Sequence, residues 1–302
     1  MAHTPHQHGP QAPHGHHHGS GQHAMDWTEM GPYLEQEGEV MAPLYRDVAH
    51  WLAASHPAPG RILDVGSGPG VVTCLLAEAF REAEVTAVDP EEYLLGRAGE
   101  RAARAAVADR VRTHRAELPD GLDALDPADL VWLGNSLHHV GDQRAALTAV
   151  ARRVAPGGVV ALLEGGLPTR VLPRDVGFGR PGLQARIDAA EQDRFTAMRT
   201  ELPGTVRETE DWPALLAAAG LRPTGSKTFL LDRTAPLTDH ERDYVIAAVG
   251  RRWGSLGDVL DPADLAALDR LLDPEAADGL ARRPDVFLLT ARTVHTAVAD
   301  PA

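Results

Sequence analysis

Seven residues, Asp64-Val65-Gly66-Ser67-Gly68-Pro69-Gly70, carry the densest chemical signal in the chain. An apolar run from Ile62 leads into three glycines at alternate positions, and apolar residues at helical spacing from Val71 to Phe80 follow at once. That pattern predicts a strand, a tight turn and a helix. Glycines let the backbone take positive φ and let a ligand approach the main chain, while the helix N-terminus behind them offers unpaired N–H groups. The turn is therefore a cradle for a nucleotide-like ligand, or else a tight corner that binds nothing. A second carboxylate, Asp89, ends the next predicted strand, Glu84-Val85-Thr86-Ala87-Val88-Asp89. At that place it can accept both hydroxyls of a ribose; ahead of Pro90 it can also cap a helix. The dinucleotide fingerprint G-x-G-x-x-G wants glycine at 71, where the chain has Val71.

Strand, acid and glycine turn together resemble motif I of the class I S-adenosylmethionine-dependent methyltransferases, an acidic residue followed by G-x-G-x-G. The resemblance implies S-adenosyl-L-methionine as cofactor, with Asp64 near the amino group of its methionine part and Gly66, Ser67, Gly68 and Gly70 shaping the turn against it. It places Asp89 and Pro90 beside the ribose. Ala116 and Glu117 follow the third strand, where the family meets the adenine amino group and more often has aspartate. Asn135 and Ser136, in the loop after the fourth strand, are further cofactor contacts in this scheme, because ligands of open α/β sheets bind outside the carboxyl ends of the strands. The loop Leu137-His138 ahead of Asp142, with Glu164 ending strand five, is similar to the small-molecule O-methyltransferases of the plant phenol and bacterial polyketide type. That likeness implies His138 as general base and Glu164 as its orienting partner; a positioned histidine contributes about 10² to 10⁴ in rate. A loop histidine that only forms hydrogen bonds is the plainer alternative. The chain departs from that type in having His139 where an acid is frequent, and in lacking a long helical dimerisation domain before the core. No metal ligand set is expected in the core.

The elements that must position these groups follow from periodicity. Before the core, Trp27, Met30 and Leu34, then Met41, Leu44, Tyr45, Val48 and Leu52, recur at helical intervals, and Pro32 and Pro43 are expected to divide them into short helices. Trp27, Tyr33 and Tyr45 are candidate substrate contacts or simple packing. Strands are predicted at 110–115, 128–134 and 159–163, with a helix after Asp142 that stops at Ala155-Pro156-Gly157-Gly158. Residues 165 onward, rich in Gly and Pro, predict loop, and Arg170, Arg174 and Arg180 within it either receive an anionic substrate group or solvate the surface. Further on come helices at 187–200, after Asp211-Trp212-Pro213, behind the capping box Thr238-Asp239-His240-Glu241 and after Asp261-Pro262, and strands at 224–231 and 285–294.

The expected architecture is α/β: a doubly wound, mainly parallel seven-stranded, Rossmann-like sheet with a helical N-terminal cover and a helical insertion near the C-terminus. Its parts are a His-rich tail at 1–24, a helical cover at 25–58, a methyltransferase core at 59–234 with a lid insertion at 165–210, a helical insertion at 235–283, and a last strand and tail at 284–302. The tail holds eight of the fifteen histidines with Gly, Pro and Gln, a composition that builds no core and holds a divalent metal weakly at most. Asp plus Glu total 43 against 29 Lys plus Arg, a formal charge of −14 that opposes generic nucleic-acid binding. Cys74 is the sole cysteine, inside an apolar helix, so it forms no intrachain disulfide. No apolar run is long enough for a membrane span and no signal-peptide core is present, so a cytoplasmic protein is expected. The expected function is methyl transfer from S-adenosylmethionine to a small-molecule acceptor at a hydroxyl oxygen. Methyl transfer to N, C or a protein side chain, and cofactor binding without catalysis, are the alternatives; an NAD-dependent oxidoreductase is disfavoured by Val71 and by the lack of a Tyr-x-x-x-Lys pair.

Overall fold

In the computed structural model, residues 26–56 and 58–301 are described, so the expectations for the His-rich tail lie outside them. Seven strands, β1 (Arg61–Val65), β2 (Glu84–Asp89), β3 (Val111–Arg115), β4 (Ala128–Gly134), β5 (Val154–Arg170), β6 (Arg222–Arg233) and β7 (Leu288–Val298), form one sheet in the order β3-β2-β1-β4-β5-β7-β6. The pairs from β3 through β5 are parallel, whereas β7 runs antiparallel to both β5 and β6. This is the doubly wound, mainly parallel, Rossmann-like sheet the sequence leads one to expect. Strand order reverses between β1 and β4, and the crevice at a switch of this kind is where open α/β sheets take ligands.

Eight helices clothe the sheet: α1 (Trp27–Ser55), α2 (Val71–Ala79), α3 (Glu92–Arg104), α4 (Gln143–Ala151), α5 (Leu183–Glu201), α6 (Trp212–Ala218), α7 (Asp239–Gly254) and α8 (Pro262–Leu272). Successive strand residues point to opposite faces. Ile62, Trp132, Ala161 and Leu163 accordingly join one core with α1, α2, α7 and α8, while Leu63, Val65, Leu133 and Leu162 join another with α4 and α6. Asp64 alternates with Leu63 and Val65, so it faces the α2 side. Asp142 and Asp211 cap α4 and α6 through Ala145 and Ala214 N–H, and the expected capping box forms between Thr238 and Glu241 at α7.

Two elements differ from expectation. Residues 27–55 are one continuous helix with Pro32 and Pro43 inside it, not several short ones. An interior proline costs about 3 kcal/mol, but α1 buries Val40, Met41, Leu44, Val48, Ala49 and Leu52 along one side, and full burial of one such aliphatic side chain contributes roughly 1.5–3 kcal/mol. Packing therefore outweighs the local breakers. Strand β5 also runs past Glu164 through Gly165, Gly166 and Pro168 to Arg170, where loop was expected. β7 pairs with that extension at Gly166, Leu167 and Arg170, with register shifts that absorb the irregular residues. Gly166, at φ 119°, tolerates no Cβ against the Ala291 carbonyl, so the residue that signalled a loop is the one a bulged strand needs.

Candidate active site

The glycine turn closes β1 onto β2. Gly66 and Ser67 N–H both donate to the Val88 carbonyl, at 2.8 and 3.1 Å. Gly66, Gly68 and Gly70 all take positive φ, at 76°, 54° and 78°, but they serve different ends. A Cβ on Gly66 would lie 2.6 Å from Ser136 Cβ, and one on Gly70 would lie 2.6 Å from Ala98 Cβ, so these two are demanded by packing. Above Gly68 there is open space, and that is where a ligand can meet the main chain. Ser67 Oγ is buried and has no hydrogen-bond partner among the described residues, as expected of a donor that a ligand would satisfy.

Asp64 is 1% exposed, and its Oδ2 accepts a 2.5 Å hydrogen bond from Thr73 Oγ1 in the first turns of α2. Burial pushes its carboxyl up to about 7, opposed by the Thr73 hydrogen bond and reinforced by the charge of Asp89. A buried carboxylate with only a hydroxyl partner fits a ligand ammonium. Thr73 itself has no counterpart among the sequence-based candidates. Its signal was available: it is a fully buried polar residue on the inner face of an otherwise apolar helix.

Asp89 ends β2 with Oδ2 accepting from Gly68 N–H and Oδ1 accepting from Glu91 N–H, both at 2.9 Å. The N-cap of α3 is Glu91, which corrects the capping alternative for Asp89. Burial raises the Asp89 carboxyl and the two backbone N–H groups oppose it. Each oxygen keeps lone pairs for further donors such as ribose hydroxyls. Beside it, the Pro90 carbonyl accepts from Arg115 Nε at 2.9 Å, and Ala116 N–H donates to the Asp89 carbonyl at 3.2 Å, so Asp89, Pro90 and Ala116 form one strip. Glu117 projects into solvent at the lip of an open depression of about 500 Å³ that Leu118, Asp120 and Gly121 also line.

At the end of β4, Asn135 takes a left-handed φ of 50°, its N–H donates to the Leu163 carbonyl at 3.0 Å, and its Nδ2 reaches the Tyr45 hydroxyl of α1 at 3.5 Å. Ser136 packs on Gly66 with its hydroxyl 3.4 Å from the Val65 carbonyl. A short 3₁₀ turn, Leu137–His139, follows. Glu164, buried at the end of the straight part of β5, accepts Leu137 N–H on Oε1 at 2.9 Å and faces His138 Nδ1 with Oε2 at 3.3 Å. Where Glu164 Oε2 is the acceptor of this contact, His138 Nδ1 is the donor and Nε2 is left for a further partner. Phe195 and His139 flank the His138 ring, with centroids at 5.8 and 4.1 Å. His139, its edge in solvent but crowded on its other sides, is held below the ordinary histidine range to about 4, by desolvation first and by His138 next.

Arg199 of α5 was not among the sequence candidates, yet its Nη1 donates to the His138 and Val140 carbonyls at 2.9 and 2.6 Å. No local pattern announces it, because it acts across 61 and 59 residues. Two of the three arginines considered for an anionic substrate are engaged in ion pairs instead: Arg170 with Asp188 at 3.5 Å and Arg180 with the buried Asp264 at 2.9 Å. Among the described residues, no group of three His, Cys, Asp or Glu could hold a metal ion, and no helix is long and apolar enough to cross a membrane.

Comparison with known proteins agrees with this geometry. Residues 62–158 match the family described as a methyltransferase domain. A trans-aconitate 2-methyltransferase of Methylobacterium nodulans is 30% identical over 260 residues, which is 78% of this chain and 88% of that protein. The 27-O-demethylrifamycin SV methyltransferase of Amycolatopsis mediterranei is 37% identical over 43% of this chain and 48% of its own length. The chain spans only 24% and 49% of two other curated relatives. Among solved structures, human N-acetylserotonin methyltransferase in complex with S-adenosylmethionine is 20% identical with a TM-score of 0.47, covering 67% of this chain and 53% of that one. With its glycine turn, its two strand-end carboxylates and a full-length relative, the chain belongs to the class I S-adenosylmethionine-dependent methyltransferases.

Proposed function

We propose that this methyltransferase acts on a small molecule and places the methyl group on a hydroxyl oxygen. The observation that carries this is the Glu164–His138 pair at the carboxyl ends of β4 and β5, next to Ser136 and the glycine turn. Bound S-adenosylmethionine supplies a methyl group on a positive sulfur, open to in-line attack. Asp64 would receive the ammonium of its methionine part, Asp89 and Pro90 the ribose, and Ala116 and Glu117 the adenine side. Gly68 and Ser67 would line the turn, and Asn135 and Ser136 the methyl end. His138 Nε2 would take the proton of the acceptor hydroxyl as the oxygen attacks, with Glu164 fixing the tautomer. An oxyanion attacks far better than a neutral hydroxyl, and positioning contributes the remainder by aligning oxygen, methyl and sulfur.

The helices outside the sheet serve as cover in this scheme: α1 over the turn, α5 from the segment 165–210, and α7 and α8 from 235–283. Such a cover would exclude water and suit a small acceptor. The named activities of the Methylobacterium and Amycolatopsis relatives support a small-molecule acceptor, and that of the second supports oxygen.

The test is incubation with labelled cofactor and a pool of hydroxylated small molecules, with products identified by mass fragmentation. A methyl ether or ester is expected. Label on nitrogen, on carbon or only on protein overturns the oxygen assignment. With an acceptor in hand, His138→Ala should lower kcat about 10² to 10⁴-fold and alter the pH dependence of turnover. An unchanged rate and profile removes the base.

A further inference from the structure

Four residues spaced one helical turn apart, Tyr33, Glu37, Met41 and Tyr45, wind along the inner side of α1. Tyr45 touches Asn135 at the methyl end of the site. Gly38 presses on the first residue of α2, where a Cβ would lie 2.7 Å from Val71 Cγ2, so this part of α1 lies against the start of α2. From the other side Tyr244 of α7 donates its hydroxyl to Glu37 Oε1 at 3.1 Å, and the rings of Tyr33 and Tyr244 stack at 6.2 Å.

Glu37 is half-buried, and among the described residues no cation pairs with it. The nearby arginines are engaged elsewhere. Arg252 forms a fork on Glu191 with two contacts of 3.0 Å, Arg170 pairs with Asp188, and Arg251 stands over the outer face of Tyr33 at 5.0 Å. Tyr244 uses one of about four lone-pair positions on the Glu37 carboxylate. The three phenols near it, Tyr33, Tyr45 and Tyr244, are all held protonated, by burial first and by the Glu37 charge second. They offer hydroxyl groups but no neutralising charge. A carboxylate taken partly out of water without a counter-ion is costly, and that cost favours a cationic partner.

We propose that Glu37, with Tyr33 and Tyr244, forms an acceptor subsite for a protonated amine, so that the acceptor is a hydroxylated small molecule bearing a basic nitrogen. This rests on methyl transfer to a small molecule at the neighbouring site. The amine end would sit under α1 and α7, and the hydroxyl would reach toward Asn135 and His138.

The test titrates three probes that share a phenol and differ in their tail, namely tyramine (cationic), tyrosol (neutral) and phloretate (anionic), into the full chain saturated with S-adenosylhomocysteine. Tyramine should bind about tenfold or more tighter than phloretate, a difference of about 1.4 kcal/mol or more, with tyrosol between them. Glu37→Gln should bring tyramine to within about threefold of tyrosol without changing S-adenosylhomocysteine affinity, and Tyr244→Phe should keep the preference. The wild-type ranking is itself a test that requires no variant to fold. Phloretate binding as well as tyramine, or none of the three binding at millimolar concentration, overturns the subsite. So does a Glu37→Gln loss that falls on S-adenosylhomocysteine instead. Failure of the wild type to bind S-adenosylhomocysteine at all is a separate result, which would remove the methyl-transfer scheme beneath it.

Discussion

Asp64 holds a carboxylate where burial opposes its charge, and the consequence is measurable. Its carboxyl stands at about 7 in the fold against an ordinary value of 3.8. Between those values the ligand-free fold keeps a proton that the unfolded chain has released, so this group's contribution to stability is full below about pH 4 and is lost as pH rises through about 7. Asp64→Asn should therefore raise the stability of the ligand-free protein at pH 8, by at most about 4 kcal/mol, read from thermal or denaturant unfolding. The same substitution should weaken S-adenosylhomocysteine, since it removes the carboxylate proposed to meet the ammonium. In the wild type, affinity for that ligand should rise as pH passes from 6 to 8 and level off above the Asp64 transition. Affinity that stays flat with pH would mean that Asp64 does not meet the ammonium.

α5 and α1 hold the site from outside the sheet. Phe195 and Arg199, one turn apart on α5, grip the His138 ring and its carbonyl, so the position of His138 depends on a segment distant in sequence. Arg199→Gln should lower kcat by about tenfold through loss of charge-assisted hydrogen bonds, while the Kd for S-adenosylhomocysteine stays unchanged; equal losses in both would point to general unfolding. α1 is clamped to α3 by Glu35, which meets Arg97, Arg101 and Arg104. Glu35→Gln leaves Arg97 without its carboxylate, while Arg101 keeps Glu39 at 2.6 Å, and should cost about 1 kcal/mol. Faster amide exchange confined to α1 is the expected signature, with the central strands unaffected. Sequence showed these elements unequally. The β1 turn, the strand-end acids and the Thr238 cap were legible because each is set by a few adjacent residues. The continuity of α1 and the reach of β5 were not, because Pro32, Pro43, Gly165 and Gly166 carry breaker signals that only tertiary pairing overrides. The Glu37–Tyr244 contact spans 207 residues, and no local pattern encodes such a distance.

At the scale of the whole molecule, the sheet order β3-β2-β1-β4-β5-β7-β6 brings the proposed cofactor residues, with His138 and Glu164, to one edge, the carboxyl ends of β1 to β5. The formal charge of −14 does not prevent this edge from taking a cofactor with a cationic sulfur and ammonium; it favours the sign of that ligand. The proposed cofactor end follows closely from sequence, whereas the proposed acceptor end lies among α1, α5 and α7 and emerges only from their packing. Everything at the acceptor end presumes a nucleoside lodged over the β1 turn with its sugar on Asp89. Isothermal titration of S-adenosylhomocysteine into wild type and Asp89→Ala tests that most directly. One-to-one binding by the wild type is expected, weakened about 10- to 100-fold in the variant by loss of a charged hydrogen-bond acceptor. No heat of binding at millimolar ligand from folded wild type, or equal affinity in the two proteins, would contradict it.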